Sequence, residues 1–157
     1  MRLAVLLLVS TALYAGAAEA QVETPLSSTH LRGVCAALSF EEADLSSDCQ
    51  DTVLVRSYAC GRVSVAFAIT PECCALSFEG DEKGRTSDGN IVVQPINRAF
   101  LFRAGGPAIE VEGAGECRWS PFVADAAMVD CALVDRTGKS TKGLFQAGAA
   151  EPNEQWF

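Results

Sequence analysis

The chain is 157 residues long, carries a formal net charge of −8 and contains seven cysteines. That length suits a single domain beyond any leader. The acidity argues against nucleic acid and against anionic membrane surfaces as partners, since both are held by Lys and Arg, and solubility alone accounts for it.

At the N-terminus Met1 and Arg2 form a short positive region, residues 3–17 are almost continuously apolar, and Ala18-Glu19-Ala20 sets small side chains where a signal peptidase reads them. This is the pattern of a secretory signal peptide over residues 1–20, with Gln21 as the first mature residue. The apolar run is shorter than the roughly 20 residues that a membrane-spanning helix needs. The rest of the chain is therefore expected in a secreted or periplasmic setting, where disulfides persist, with no membrane insertion after cleavage.

Residues 21–34 open on a polar stretch with Pro25 and a Ser-Ser-Thr run, and are expected to be a flexible N-terminal segment. A single β-rich domain is expected over residues 35–148, followed by a tail over 149–157. Ser39-Phe40-Glu41-Glu42 fits a capping box and predicts a short helix over 40–47. From Val53 onward the pattern is β. Val63, Val65, Phe67 and Ile69 alternate with Ser64, Ala66 and Ala68, a period of two with small side chains on the second face. Cys74, Leu76 and Phe78 alternate next. Residues 79–90 are polar and punctuated by glycine, which predicts a long mobile loop. Residues 91–96 and 99–102 read as two strands, the first at an edge or bend because of Pro95. Ile109 and Val111, then Cys117 and Trp119, give two more short strands. Residues 128–134 form another, closed by a turn at 135–139, and residues 143–146 a weak last one. A local echo links Cys35-Ala36-Ala37-Leu38-Ser39-Phe40-Glu41 with Cys73-Cys74-Ala75-Leu76-Ser77-Phe78-Glu79.

The seven cysteines (Cys35, Cys49, Cys60, Cys73, Cys74, Cys117 and Cys131) read as a disulfide framework with one thiol left over. Joining sequence neighbours gives Cys35–Cys49, Cys60 to Cys73 or Cys74, and Cys117–Cys131. Each such loop is worth about 3 kcal/mol in the chain-entropy model. Adjacent cysteines seldom both reach separate partners, so the odd thiol is expected at Cys73 or Cys74. It is either buried as a small hydrophobe or available for a disulfide-linked dimer. A vicinal disulfide is a third arrangement. The absence of any C-x-x-C pair argues against zinc and against thioredoxin-like exchange.

Little catalytic chemistry is in sight. The one histidine, His30, lies in the polar N-terminal stretch, away from any nucleophile pattern. No phosphate loop, nucleophile elbow or paired-histidine metal motif occurs. Glu110 and Glu112 share a strand face by period two and read as solvated. Asp81, Glu82, Asp88 and Asn90 offer oxygens suited to Ca²⁺, but loop polarity explains them as well. The terminal Trp156-Phe157 resembles the end of a lipid-embedded barrel, yet Pro152 and polar neighbours leave no alternating strand before it.

Together these features predict an all-β fold, a small disulfide-stapled sandwich or barrel of seven or eight short strands with room for one short helix. The role that fits is a binding, inhibitory or cell-envelope accessory module for a protein or small-molecule partner, with no cofactor or metal. The alternative is a small secreted hydrolase using a carboxylate pair, acting on glycans.

Overall fold

A computed structural model of the chain describes residues 23–70, 74–120 and 127–148 in full, and the backbone alone of residues 153–156. Residues 1–20, expected to be the signal peptide, lie outside the described residues, as does Cys73.

The strands in chain order are β1 (Pro25–Phe40), β2 (Ala43–Asp44), β3 (Thr52–Tyr58), β4 (Arg62–Thr70), β5 (Cys74–Asp81), β6 (Thr86–Asp88), β7 (Ile91–Phe102), β8 (Ile109–Trp119), β9 (Met128–Asp135), β10 (Ser140–Ala147) and β11 (Asn153–Trp156), with one 3-10 turn at Glu82–Gly84. Eight of them run β1-β3-β4-β5-β7-β8-β9-β10 as successive antiparallel neighbours. β10 then pairs back onto β1, from Gly33↔Ala147 to Ser39↔Lys142. That last pairing closes the sheet into an eight-stranded up-and-down barrel and removes its edges. Of the two architectures the sequence allows, the barrel is the one formed. The short strands β2, β6 and β11 flank it, pairing with β1, β7 and β1 respectively.

The period-two pattern decides which side chains face inward. Val53 and Val55 on β3, Val65 and Phe67 on β4, Leu76 and Phe78 on β5, Ala99 and Leu101 on β7, Val129 and Leu133 on β9 and Phe145 on β10 are all buried in one core. Each fully buried Val, Leu or Phe contributes about 1.5–3 kcal/mol of transfer free energy. Cys117 and Cys131 stand directly opposite each other on β8 and β9, fully buried, and are joined by a disulfide with Cα atoms 4.0 Å apart. A second disulfide, Cys35–Cys49, ties β1 to the loop that follows β2. Both match the neighbour pairing. The bridge expected from Cys60 is not formed: Cys60 is a free, exposed thiol on the β3–β4 turn, and Cys74 is itself disulfide-bonded.

Four expectations are corrected. No helix forms over 40–47. β1 runs to Phe40 and turns back into β2 through Glu41 and Glu42, both at positive φ (46° and 72°). Neighbours hold that turn, since Glu41 N–H donates to Thr141 Oγ1 and Glu42 N–H to the Ser140 carbonyl, and these bonds override the local capping signal. Residues 25–34, expected to be loose, form the first half of β1, with β3 on one edge and β11 on the other. The loop expected over 79–90 is largely built into the structure as the end of β5, the 3-10 turn and β6. Gln94, buried in the core, binds it by donating to the Asp81 carbonyl and accepting from Arg85 Nε. The split strands at 91–102 and 109–119 are each continuous. Gly113 and Gly115 do not break β8. They let it approach β9 so closely that a β-carbon at Gly115 would overlap the Ala132 carbonyl oxygen.

Candidate functional site

The outward positions of β3, β4, β5 and β7 form a grid fixed by strand register. One row across the sheet reads Arg56, Ser64, Glu79, Arg98 and Glu112, each opposite the next. The adjacent row reads Leu54, Ala66, Ser77, Phe100 and Glu110. A third includes Ala68, Ala75 and Phe102. Small side chains therefore occupy the middle of this face, while Leu54, Arg56 and Tyr58 rise on one side and Phe102 on the other. The result is an open groove of about 550 Å³ lined by these residues with Arg62, Ser64, Ser77, Glu79, Thr70 and Cys74, a volume in the range of small-molecule sites.

The groove's polar groups are few and tightly placed. Ser64 and Ser77 are outward-facing yet only 4% and 3% exposed, and their hydroxyl oxygens lie 2.8 Å apart. A pair of hydroxyls uses one O–H between them, so the second proton is left to donate elsewhere. Glu79, also buried, accepts from Arg62 Nη1 at 3.1 Å and faces Arg98 Nη2 at 3.7 Å. Arg62 in turn reaches Glu23 Oε2 at 3.0 Å and lies 3.9 Å over the Tyr58 ring. Burial works against the charge on Arg62, but Glu79, Tyr58 and Glu23 outweigh it and hold the guanidinium above its ordinary value. The Cys60 thiol, together with Arg62, holds the Glu23 carboxyl below the usual range. Arg56 differs from its neighbours: half-buried in the wall, it has no carboxylate within 4.0 Å among the described residues.

Beneath the groove the barrel interior holds aromatic side chains. The Phe67 ring crosses it to meet the backbone of Gly143, and Phe78 packs edge-on against Phe67 at 5.8 Å. The groove lies on the outside of the barrel.

Comparison with known protein families, with curated proteins and with solved structures returns no match.

The residues singled out in the sequence are mostly elsewhere. His30 lies on the outer face of β1, exposed and opposite Leu54. Glu110 and Glu112 are each drawn to a different cation, Arg98 at 3.8 Å and Arg136 at 2.9 Å, and do not converge as a pair. Asp81 caps the 3-10 turn by accepting from Lys83 N–H, and Glu82 pairs with Arg85. Among the described residues no group of three potential metal ligands gathers. Arg56, Tyr58, Arg62 and Glu79 were not visible as site residues. The usable signal was the run of small outward residues Ser64, Ala66 and Ala68, which marks a recess once Arg, Tyr and Phe flank it.

Proposed function

We propose that this protein is an extracytoplasmic binding module that recognises its partner through the outer face of β3, β4, β5 and β7. Two intramolecular disulfides in one chain suit an oxidising compartment outside the cytoplasm, in keeping with the leader read at residues 1–20. The observation that carries the binding role is the groove. A soluble barrel normally fills its outward positions with long solvated side chains. Here four adjacent outward positions are Ser64, Ala66, Ala75 and Ser77, half-buried or buried, beside a guanidinium that has no carboxylate partner among the described residues. A closed, cross-linked scaffold holds such a recess rigidly, which lowers the entropic cost of association.

The outer face also carries Arg98, Glu110, Glu112, Arg118 and Lys142, whereas apolar side chains fill the inside. That is the reverse of a lipid-embedded barrel and favours action in solution. A carboxylate-pair hydrolase draws no support from this arrangement, because Glu79, the most buried carboxylate among the described residues, is held between two arginines.

A photo-crosslinking residue placed at position 66, in the groove floor, tests the reading in the exported full-length product. Position 34, an exposed valine on the outer face of β1, is the control. Discrete adducts at 66 and none at 34 support the groove. Adducts equally frequent at both positions contradict it.

A further inference from the structure

The groove's charge and shape also restrict what fits it, and this deepens the binding role proposed above and rests on it. Among the described residues its charged lining is Arg56, Arg62 and Glu79; Arg62 and Glu79 form an ion pair, which leaves the positive charge of Arg56 without a described counterion. A monoanion matches that charge. A dianion such as a phosphate ester would be left half-neutralised.

Arg56 stands directly opposite Ser64 across neighbouring strands, about 4.8 Å apart in the pairing direction. A planar guanidinium beside a hydroxyl with a proton to donate is the arrangement that binds a carboxylate: two parallel N–H donors from Arg and an O–H from the serine pair. The spare proton of the Ser64–Ser77 pair is the second and independent indication, because a buried donor calls for an acceptor. From that corner the floor runs over Ala66 and Ala75 to Phe102, which is 42% exposed at the far end. Arg56 and Phe102 are three strands and two rows apart, on the order of 19 Å between their backbones. A carboxylate held at Arg56 therefore needs a chain between it and a flat apolar group to bring that group against Phe102.

We infer that the groove is a binding site for a small monocarboxylate with an aromatic or flat apolar end, the carboxylate held by Arg56 and the Ser64–Ser77 hydroxyls and the apolar end by Ala75 and Phe102.

The test uses phenylbutyrate and its neutral amide, titrated into the full exported protein and read by amide NMR and calorimetry. Expected is saturable binding of the carboxylate, with shifts centred on Ser64, Ala66 and Ser77, and about tenfold weaker binding of the amide, the value of one charge-assisted contact. Arg56→Gln removes the charge from a half-exposed wall position without touching the core. It should weaken the carboxylate to the level of the amide and leave the amide unchanged, while the shifts of inward residues confirm the fold. Phe102→Ala should weaken both ligands alike. Equal binding of acid and amide, unchanged affinity in Arg56→Gln, or no saturable binding of either probe overturns the inference. If those results coincide with adducts at position 66 in the crosslinking experiment, the ligand class is wrong and the groove stands. If the adducts are missing as well, both readings fall.

Discussion

The ring of Phe67, on β4, packs against the backbone of Gly143, on β10: a β-carbon at position 143 would stand 2.6 Å from Phe67 Cζ. The two strands are not neighbours in the barrel, so this contact spans the interior and fixes its width. An eight-stranded barrel is just wide enough for side chains to fill, and the absent side chain at 143 makes room for the Phe67 ring opposite.

Gly143→Ala should therefore destabilise the fold by about 1–3 kcal/mol through overpacking. Phe67→Leu alone leaves a void and costs about 1 kcal/mol or more. The double variant should cost less than the sum, with a coupling of about 1 kcal/mol in a urea-unfolding cycle. Strict additivity would mean that the two residues do not meet.

Loss of the Cys117–Cys131 bridge in the double alanine variant should cost about 2–5 kcal/mol. Cys60→Ser, at an exposed turn position, should stay within about 0.5 kcal/mol of the parent. Alkylation of the native protein followed by peptide mapping should find the label at Cys60 and none at Cys117 or Cys131. Label on either buried cysteine would contradict the pairing.

The alternation at Val63, Val65, Phe67 and Ile69 was legible because one face of β4 is wholly apolar and the other small. β1 was not, because Pro25, Ser27, Ser28, Thr29 and His30 show no apolar face. Their strand conformation comes from pairing with β3, a long-range effect that composition does not carry. The echo between residues 35–41 and 73–79 has a physical counterpart: Leu38 and Phe40 on β1, like Leu76 and Phe78 on β5, all point into the core. Glu79 was read as the start of a polar loop, and only the register with Arg98 and the reach of Arg62 reveal it as part of the groove. The middle cysteine pairing failed because spacing ranks loop lengths and says nothing of where the β3–β4 turn points its thiol.

Asp135 gives a pH signature. The Thr137 hydroxyl, then the backbone N–H groups of Lys139 and Thr137, bind its carboxylate and outweigh burial to hold its pKa below the ordinary 3.8. The folded value lies below the unfolded one, so the stabilisation is fully present above the ordinary carboxyl range and is lost as pH falls through the lower folded value. Melting curves of the parent and Asp135→Ala should differ by a constant gap at neutral pH and converge in acid below about pH 4. A gap that widens in acid would contradict this turn.

The Glu41–Glu42 turn is expected to be improvable. Two non-glycine residues at positive φ carry strain that glycine lacks. Glu42→Gly should raise stability by up to about 1 kcal/mol in the same urea assay, since its backbone bond to Ser140 is kept. A loss of more than that amount would show the Glu42 side chain to be needed there.

Recognition is assigned to the outside of the barrel. Methyl NMR of the protein with and without phenylbutyrate tests it most directly, because inward and outward methyl groups alternate along the same strands. Leu54, Ala66 and Ala75 should shift while Val65, Leu76, Val129 and Leu133 stay in place. Shifts confined to the inward set, or to neither set, would contradict it.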